Sequence, residues 1–285
     1  MLVKLLKYEW RGLFSPLLIL LIVLGGTAAL TCGVILTITP KYNETIAWYS
    51  AMALVFSIFL YYFGLIGCTL GTTLIIAVRF YKTCYTDQGY LTHTLPASAT
   101  QILNAKIIAS ILAYLLMLLA IAATIFIIFE VGLHHAFSLM SGEQDELRRI
   151  VEQEFSFILS EFSDVLGISL GGYIAYLIFF SVIALFANVV TILGCVSLGQ
   201  LYAKHRIIGA IAAYFIVQFV MQIINNICFI PMYTKMMIDS YNSEVLSLFG
   251  ILSPTLNLSL FMAVVVAVIM YFVNLHMMTK KLNLE

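Results

Sequence analysis

Four side-chain amides, Gln218, Gln222, Asn225 and Asn226, recur at i, i+4, i+7 and i+8 inside a stretch that carries no charge from residue 207 to residue 234. On a helix that spacing puts all four on one face. Amides are costly against lipid, so such a face must meet protein or a water-filled path. A second polar group, Tyr61, Tyr62, Thr69, Thr72 and Thr73, lies in the uncharged stretch 45–78 beside Gly64, Gly67 and Gly71. Gly67 and Gly71 make a G-x-x-x-G pair of the kind that permits close helix contact, and Gly167 and Gly171 make another. The polar groups read either as interhelical packing or as a substrate path or dimer seam.

Catalytic chemistry has almost nothing to stand on. The chain has no G-x-x-x-x-G-K-[ST], so it cannot bind ATP by a P-loop of its own, and it has neither H-E-x-x-H nor G-x-S-x-G. No acid or base falls in the middle of an apolar stretch to serve as a proton relay. The histidines, His93, His134, His135, His205 and His276, sit in loops or at helix ends, and the adjacent His134–His135 pair lacks further spaced ligands for a metal. Cys32, Cys68, Cys84, Cys195 and Cys228 show no C-x-x-C spacing and read as small apolar residues or, for Cys84, a loop thiol. Cys32 and Cys228 both fall near the outer ends of their helices, where a disulfide is conceivable. The expectation is a non-enzyme with no metal and no cofactor in this chain.

The elements that position these groups follow from composition. At 62% hydrophobic and 10% charged, the 285 residues lie far from the usage of soluble domains, and mean hydropathy is +1.05. Fourteen basic residues balance fourteen acids, so no basic excess speaks for nucleic acid as a partner. Six uncharged stretches, 12–40, 45–78, 107–129, 165–203, 207–234 and 245–279, are each at least 23 residues long. A helix needs roughly 20 residues to cross the hydrocarbon core, so each can span once. The uncharged stretch 88–105 is too polar to be a seventh, and 165–203 is read as one helix near 168–198. The fold class is therefore an all-α integral membrane protein with six transmembrane helices in one domain, residues 1–285.

Orientation follows from the basic residues, which cytoplasmic loops retain. One side holds Lys4, Lys7, Arg11, Arg79, Lys82, Lys106, Lys204, Arg206, Lys280 and Lys281, the other only Lys41, Arg148, Arg149 and Lys235. Both termini are expected in the cytoplasm. Trp10 and Trp48 fall at the two interfaces, where amphipathic rings prefer to sit. No cleavable signal is expected.

Residues 1–13 form a candidate interfacial helix, with Lys4, Lys7 and Arg11 on one side and Leu2, Leu5, Leu6, Trp10 and Leu13 on the other. Glu9 interrupts the apolar face and either pairs with Arg79 or Lys82 or reaches the headgroups. The inner loop 79–106 is too polar for the membrane and too patterned for a linker. Asp87-Gln88-Gly89 reads as a turn, Pro96 as a stop, and Ser98-Ala99-Thr100-Gln101 as a capping box, giving a short helix, a turn and a new helix start. Such a loop has the shape of a force transmitter.

The outer loop 131–165 carries a second cap at Ser141-Gly142-Glu143-Gln144. The acidic helix that follows bears an apolar stripe of Leu147, Val151, Phe155, Ile158 and Phe162. The stripe reads as helix packing or as a lid. The last outer connection, 228–254, bounded by Pro231 and Pro254, reads as short re-entrant helices dipping into the outer leaflet.

Together the N-terminal helix with KYEWR, the six spans, the inner run FYKTCYTDQGYLTHTLPAS and the re-entrant outer segment resemble the permease subunit of an ABC transporter of the type-2 exporter class. The inner run is similar to that of small permeases of Gram-positive bacteria. The resemblance covers essentially the whole chain. It implies a bacterial cytoplasmic membrane, a separate ABC ATPase subunit that carries ATP and Mg, and a second permease chain as homodimer or heterodimer partner. It further implies a coupling helix in 79–106, with Tyr81, Lys82, Tyr85, Asp87, Gln88, Tyr90 and Leu91 facing the ATPase. The polar residues of the second and fifth spans would line the path, and the cargo would be an amphipathic substrate such as an antimicrobial peptide or a drug.

Other classes stay open. A stand-alone oligomeric channel or pore is supported by the amide face of the fifth span. An importer permease would need an E-A-A run followed by glycine in an inner loop, of which only Leu95-Pro96 is reminiscent. A structural or sensory protein would leave the patterned inner loop unexplained.

Overall fold

In the computed structural model the chain is described over residues 2–37, 44–86, 88–90, 94, 96–139, 167–202, 205–241 and 248–280. Six long helices account for nearly all of these residues: α1 (Leu2–Thr37), α2 (Glu44–Tyr85), α3 (Ala99–Leu139), α4 (Leu170–Gly199), α5 (Arg206–Tyr241) and α6 (Leu248–Lys280). Each contains a stretch long and apolar enough to cross a membrane, so the chain has the fold of a multi-pass membrane protein. The expected acidic helix of the outer loop, including the stripe from Leu147 to Phe162, lies outside the described residues.

The helices outrun the spans that charge marks out. α2 has 42 residues, roughly 63 Å at 1.5 Å per residue, about twice the thickness of the hydrocarbon core. It passes Arg79 and Lys82 without a break and ends at Tyr85. Charge limits what lipid can cover; a helix stops only where its backbone bonds are interrupted or capped. For the same reason the boundary expected near residue 13 is no helix end, and α1 runs from Leu2 to Thr37 with Pro16 inside it. Its first turns are nonetheless two-faced, with Lys4, Lys7 and Arg11 exposed and Glu9, Leu13 and Leu17 buried.

The re-entrant reading of 228–254 is corrected in part. α5 continues through Pro231 to Tyr241, and α6 begins at Leu248 and contains Pro254, so the chain does not turn back at either proline. A proline removes one backbone donor, and the bonds of its neighbours carry the helix past it.

The chain divides into two compact units. The first comprises residues 1–78 and 108–153, the second 79–107 and 154–285. In the first unit α1 and α2 run antiparallel. The buried residues Leu17, Leu24, Ala28 and Thr31 of α1 recur with the helical period, as do Ser57, Tyr61, Cys68, Thr72 and Ile76 of α2. Thr31 Oγ1 donates to the Ser57 carbonyl (3.3 Å) and Cys68 Sγ to that of Leu20 (3.5 Å). A Cβ on Gly64 would lie 3.0 Å from Thr27 Oγ1, and one on Gly71 3.0 Å from Leu20 Cδ1. The glycines that bring α2 against α1 are thus Gly64 and Gly71, two turns apart, while a Cβ on Gly67 would meet nothing within 4 Å.

In the second unit α4 packs chiefly on α6 and α5. α4 and α6 run parallel, since Tyr176 meets Asn257 and Ser197 meets Asn274. The core lies toward the C-terminal half of α4, where Val189, Val190, Leu193, Cys195 and Ser197 are all buried. Two glycines make this packing possible: a Cβ on Gly194 would fall 2.7 Å from Met270 Cβ, and one on Gly199 would fall 2.5 Å from the backbone nitrogen of Ala210 in α5. Gly167 is no part of α4. Its φ of 73° makes it a left-handed turn residue before the Ser169 cap, so the Gly167–Gly171 pair is not a helix-packing motif.

Candidate functional site

The polar residues expected to line a path fall into two groups. Tyr61, Tyr62, Thr69, Thr72 and Thr73 belong to the first unit; Gln218, Gln222, Asn225 and Asn226 belong to the second. In α2 two of the five polar groups tie helices together and two return to their own helix. Tyr61 is buried, with its hydroxyl 2.9 Å from Thr124 Oγ1 of α3, and Thr73 Oγ1 lies 2.6 Å from Tyr114 Oη of the same helix. Thr72, fully buried, returns its hydroxyl to the Cys68 carbonyl, and Thr69, exposed, to that of Ile66. Only Tyr62 stands clear, at 58% exposure beside Phe59 and Phe63, on a face otherwise suited to lipid.

The amides of α5 are in the opposite state. Gln218, Gln222 and Asn226 are exposed, and no residue in the most apolar stretch of this helix is buried. Asn225 is half-buried and its Oδ1 is shielded from solvent without a hydrogen-bond partner among the described residues. Three carboxamides outside the protein at membrane depth, with a fourth unsatisfied beside them, are out of place against hydrocarbon.

The inner segment begins as the last turns of α2. Tyr81 is half-buried and Lys82 exposed; Thr83, Cys84 and Tyr85 are buried. A bend at Thr86 leads to a helical turn over 88–90, where the Gly89 amide donates to the Thr86 carbonyl (2.6 Å). Gln88 and Tyr90 face outward, Tyr90 at 65% exposure, while Asp87 and Leu91 lie outside the described residues. Ser98 caps α3 as its sequence predicts, accepting from the Gln101 amide at 3.3 Å.

Sequence reasoning missed what holds this segment. The Tyr85 hydroxyl donates to Ser197 Oγ of α4 at 2.7 Å, and Ser197 Oγ in turn donates to Asn274 Oδ1 of α6. All three residues are at most 1% exposed. Tyr85 is therefore an anchor in the core, where the sequence reading has it facing a partner. Nearby, Lys106 of α3 is only 4% exposed and its ammonium donates to Thr83 Oγ1, while Tyr271 of α6 donates to Asn104 Oδ1 of α3 at 3.0 Å. The available signal was Asn274, one of two amides with Asn257 in the uncharged stretch 245–279, together with a serine three residues after Gly194 in α4.

All five cysteines are free thiols, Cys32 and Cys228 included. Among the described residues no group of three or more His, Cys, Asp or Glu could hold a metal ion. Compared with models of protein families, with characterised proteins and with solved structures, the chain matches none. What its helices define is a class: an all-α protein of six long apolar helices that is built to lie in a membrane.

Proposed function

We propose that this chain is the permease subunit of an ATP-driven exporter resembling the ABC type-2 class. It works with a separate ATPase subunit and a second permease chain in a bacterial cytoplasmic membrane, with both termini in the cytoplasm. The cargo is an amphipathic molecule, a peptide or a drug. ATP and Mg belong to the ATPase, since this chain offers no P-loop to hold them.

The observation that carries the reading is the state of the inner segment. Residues 79–107 fall in one compact unit with 154–285, so the segment is held by packing and not tethered at its ends alone. Its buried side carries Thr83, Cys84, Tyr85 and Lys106, and its outer side presents Lys82, Gln88 and Tyr90. An exposed aromatic and an exposed cation on a firmly held support make a docking surface, because little ordering entropy is lost on binding. Tyr81, Asp87 and Leu91 belong to the same proposed surface, with Tyr85 supporting it from within.

The test is gentle purification from native membranes and mass spectrometry of what stays bound. An ATPase recovered in stoichiometric amount, and lost from Gln88→Ala or Tyr90→Ala while yield of the chain is unchanged, is the expected result. Recovery of this chain alone as an oligomer supports the second reading, a stand-alone channel, which the exposed amides of α5 favour on their own account.

A further inference from the structure

We infer that Tyr85, Ser197 and Asn274 form a latch that fastens the C-terminal end of α2, and with it the inner segment, to α4 and α6, so that a push on the outer surface of that segment is delivered to those two helices. The delivery of force rests on the permease reading above; the latch itself does not.

The geometry is that of a directed relay. One hydroxyl from the end of α2 donates to a serine on α4, which donates to an amide on α6, and the three are sealed from solvent. Buried hydrogen bonds are strengthened by the low local dielectric and polarise one another when chained. The Tyr85 ring also packs edge-on against Phe80 at 6.0 Å, which holds the phenol aimed inward. A residue with a wholly apolar side chain would fill the same space without choosing a partner; the hydroxyl fixes the register of the segment against α4.

The relay is also one bond short. Asn274 is 0% exposed, and its Nδ2 has no hydrogen-bond partner among the described residues. A buried donor left unmatched raises the energy of the fastened state and so lowers what it costs to release it. A permanent structural clamp gains nothing from such a defect. A latch that must open and close does, because its two states have to lie close in free energy.

A native reporter sits beside the hydroxyl. Cys84 is 0% exposed and flanked by Thr83 and Tyr85, so a maleimide reaches it only when this segment lifts away. In the fast-opening regime the labelling rate is proportional to the open population. In membrane vesicles, with labelled cysteines identified by mass spectrometry, Tyr85→Phe is expected to raise Cys84 labelling about three- to tenfold, as loss of one buried hydrogen bond predicts. Ser197→Ala should do the same from the other helix, and the double variant should add little to either single one. Cys195, buried in α4, should stay protected throughout.

The control is Tyr176→Phe, which removes the hydroxyl bonded to Asn257 (2.8 Å) elsewhere on the same pair of helices. Unchanged Cys84 labelling in Tyr85→Phe and Ser197→Ala would overturn the latch, as would equal exposure of Cys84 in Tyr176→Phe or additive single effects, since both denote general loosening. The functional reading separates cleanly: Tyr90→Ala should abolish ATPase recovery and leave Cys84 protected, whereas Tyr85→Phe should expose Cys84 and retain the ATPase. Absence of any ATPase from the wild-type preparation would sink the permease reading while leaving the Cys84 result intact.

Discussion

Single hydroxyls and amides do most of the specific joining in this protein, and their value is modest one at a time. Hydrogen bonds between membrane helices average about 0.6 kcal/mol, because the separated helices also find partners. Tyr61→Phe, which breaks the contact with Thr124 across α2 and α3, is expected to cost about that amount in unfolding from detergent or lipid, with Thr124→Val equivalent and the pair no worse than either alone. A cost of several kcal/mol would mean that Tyr61 does more than join two helices. Lys106 is a different case, since a buried ammonium must be solvated by its neighbours. Its bond to Thr83 supplies part of that solvation. Thr83→Val should therefore destabilise the chain by more than Thr69→Val, whose hydroxyl is exposed and returns to its own helix.

Among the helices, closeness is decided by which glycines a neighbour touches. Gly199 admits the backbone of α5 so near that Gly199→Ala must push the two helices apart; overpacking of this kind costs about 1–3 kcal/mol. The expected outcome is a lowered melting midpoint for Gly199→Ala and an unchanged or raised one for Gly67→Ala, which meets open space and gains helix propensity. The contrast matters because Gly67 belongs to the G-x-x-x-G pair that sequence inspection selects, and Gly199 belongs to none. The motif marks glycines four residues apart, whereas α1 requires Gly64 and Gly71, seven apart and on one stripe of α2.

For the molecule as a whole, α5 is the element that looks unfinished. Its exposed Gln218, Gln222 and Asn226 carry donors and acceptors in equal number, so such a face can pair with a copy of itself. The proposed second permease chain would satisfy it. Replacing all three by Leu is expected to weaken self-association in lipid, measured by energy transfer between labelled copies, while leaving Cys84 protected and the monomer folded. Unchanged association would place the seam elsewhere and leave the amides to line a water-filled path.

Composition and the positions of the charges were enough to determine that the chain forms six long helices apolar enough to cross a membrane, because the lipid core imposes length and apolarity on every span separately. The Ser98 cap was equally legible, being local. Helix ends were less so, since charge marks the edge of the lipid and backbone bonding marks the end of the helix, which is why α2 reaches Tyr85 and α5 passes Pro231. Which side of the inner segment faces inward was decided only by tertiary structure. Tyr85 and Tyr90 look alike in sequence, and one is an anchor and the other exposed because Ser197 lies 112 residues further along the chain yet within reach of the first hydroxyl. No local pattern encodes a partner brought in by the packing of α4 on α6.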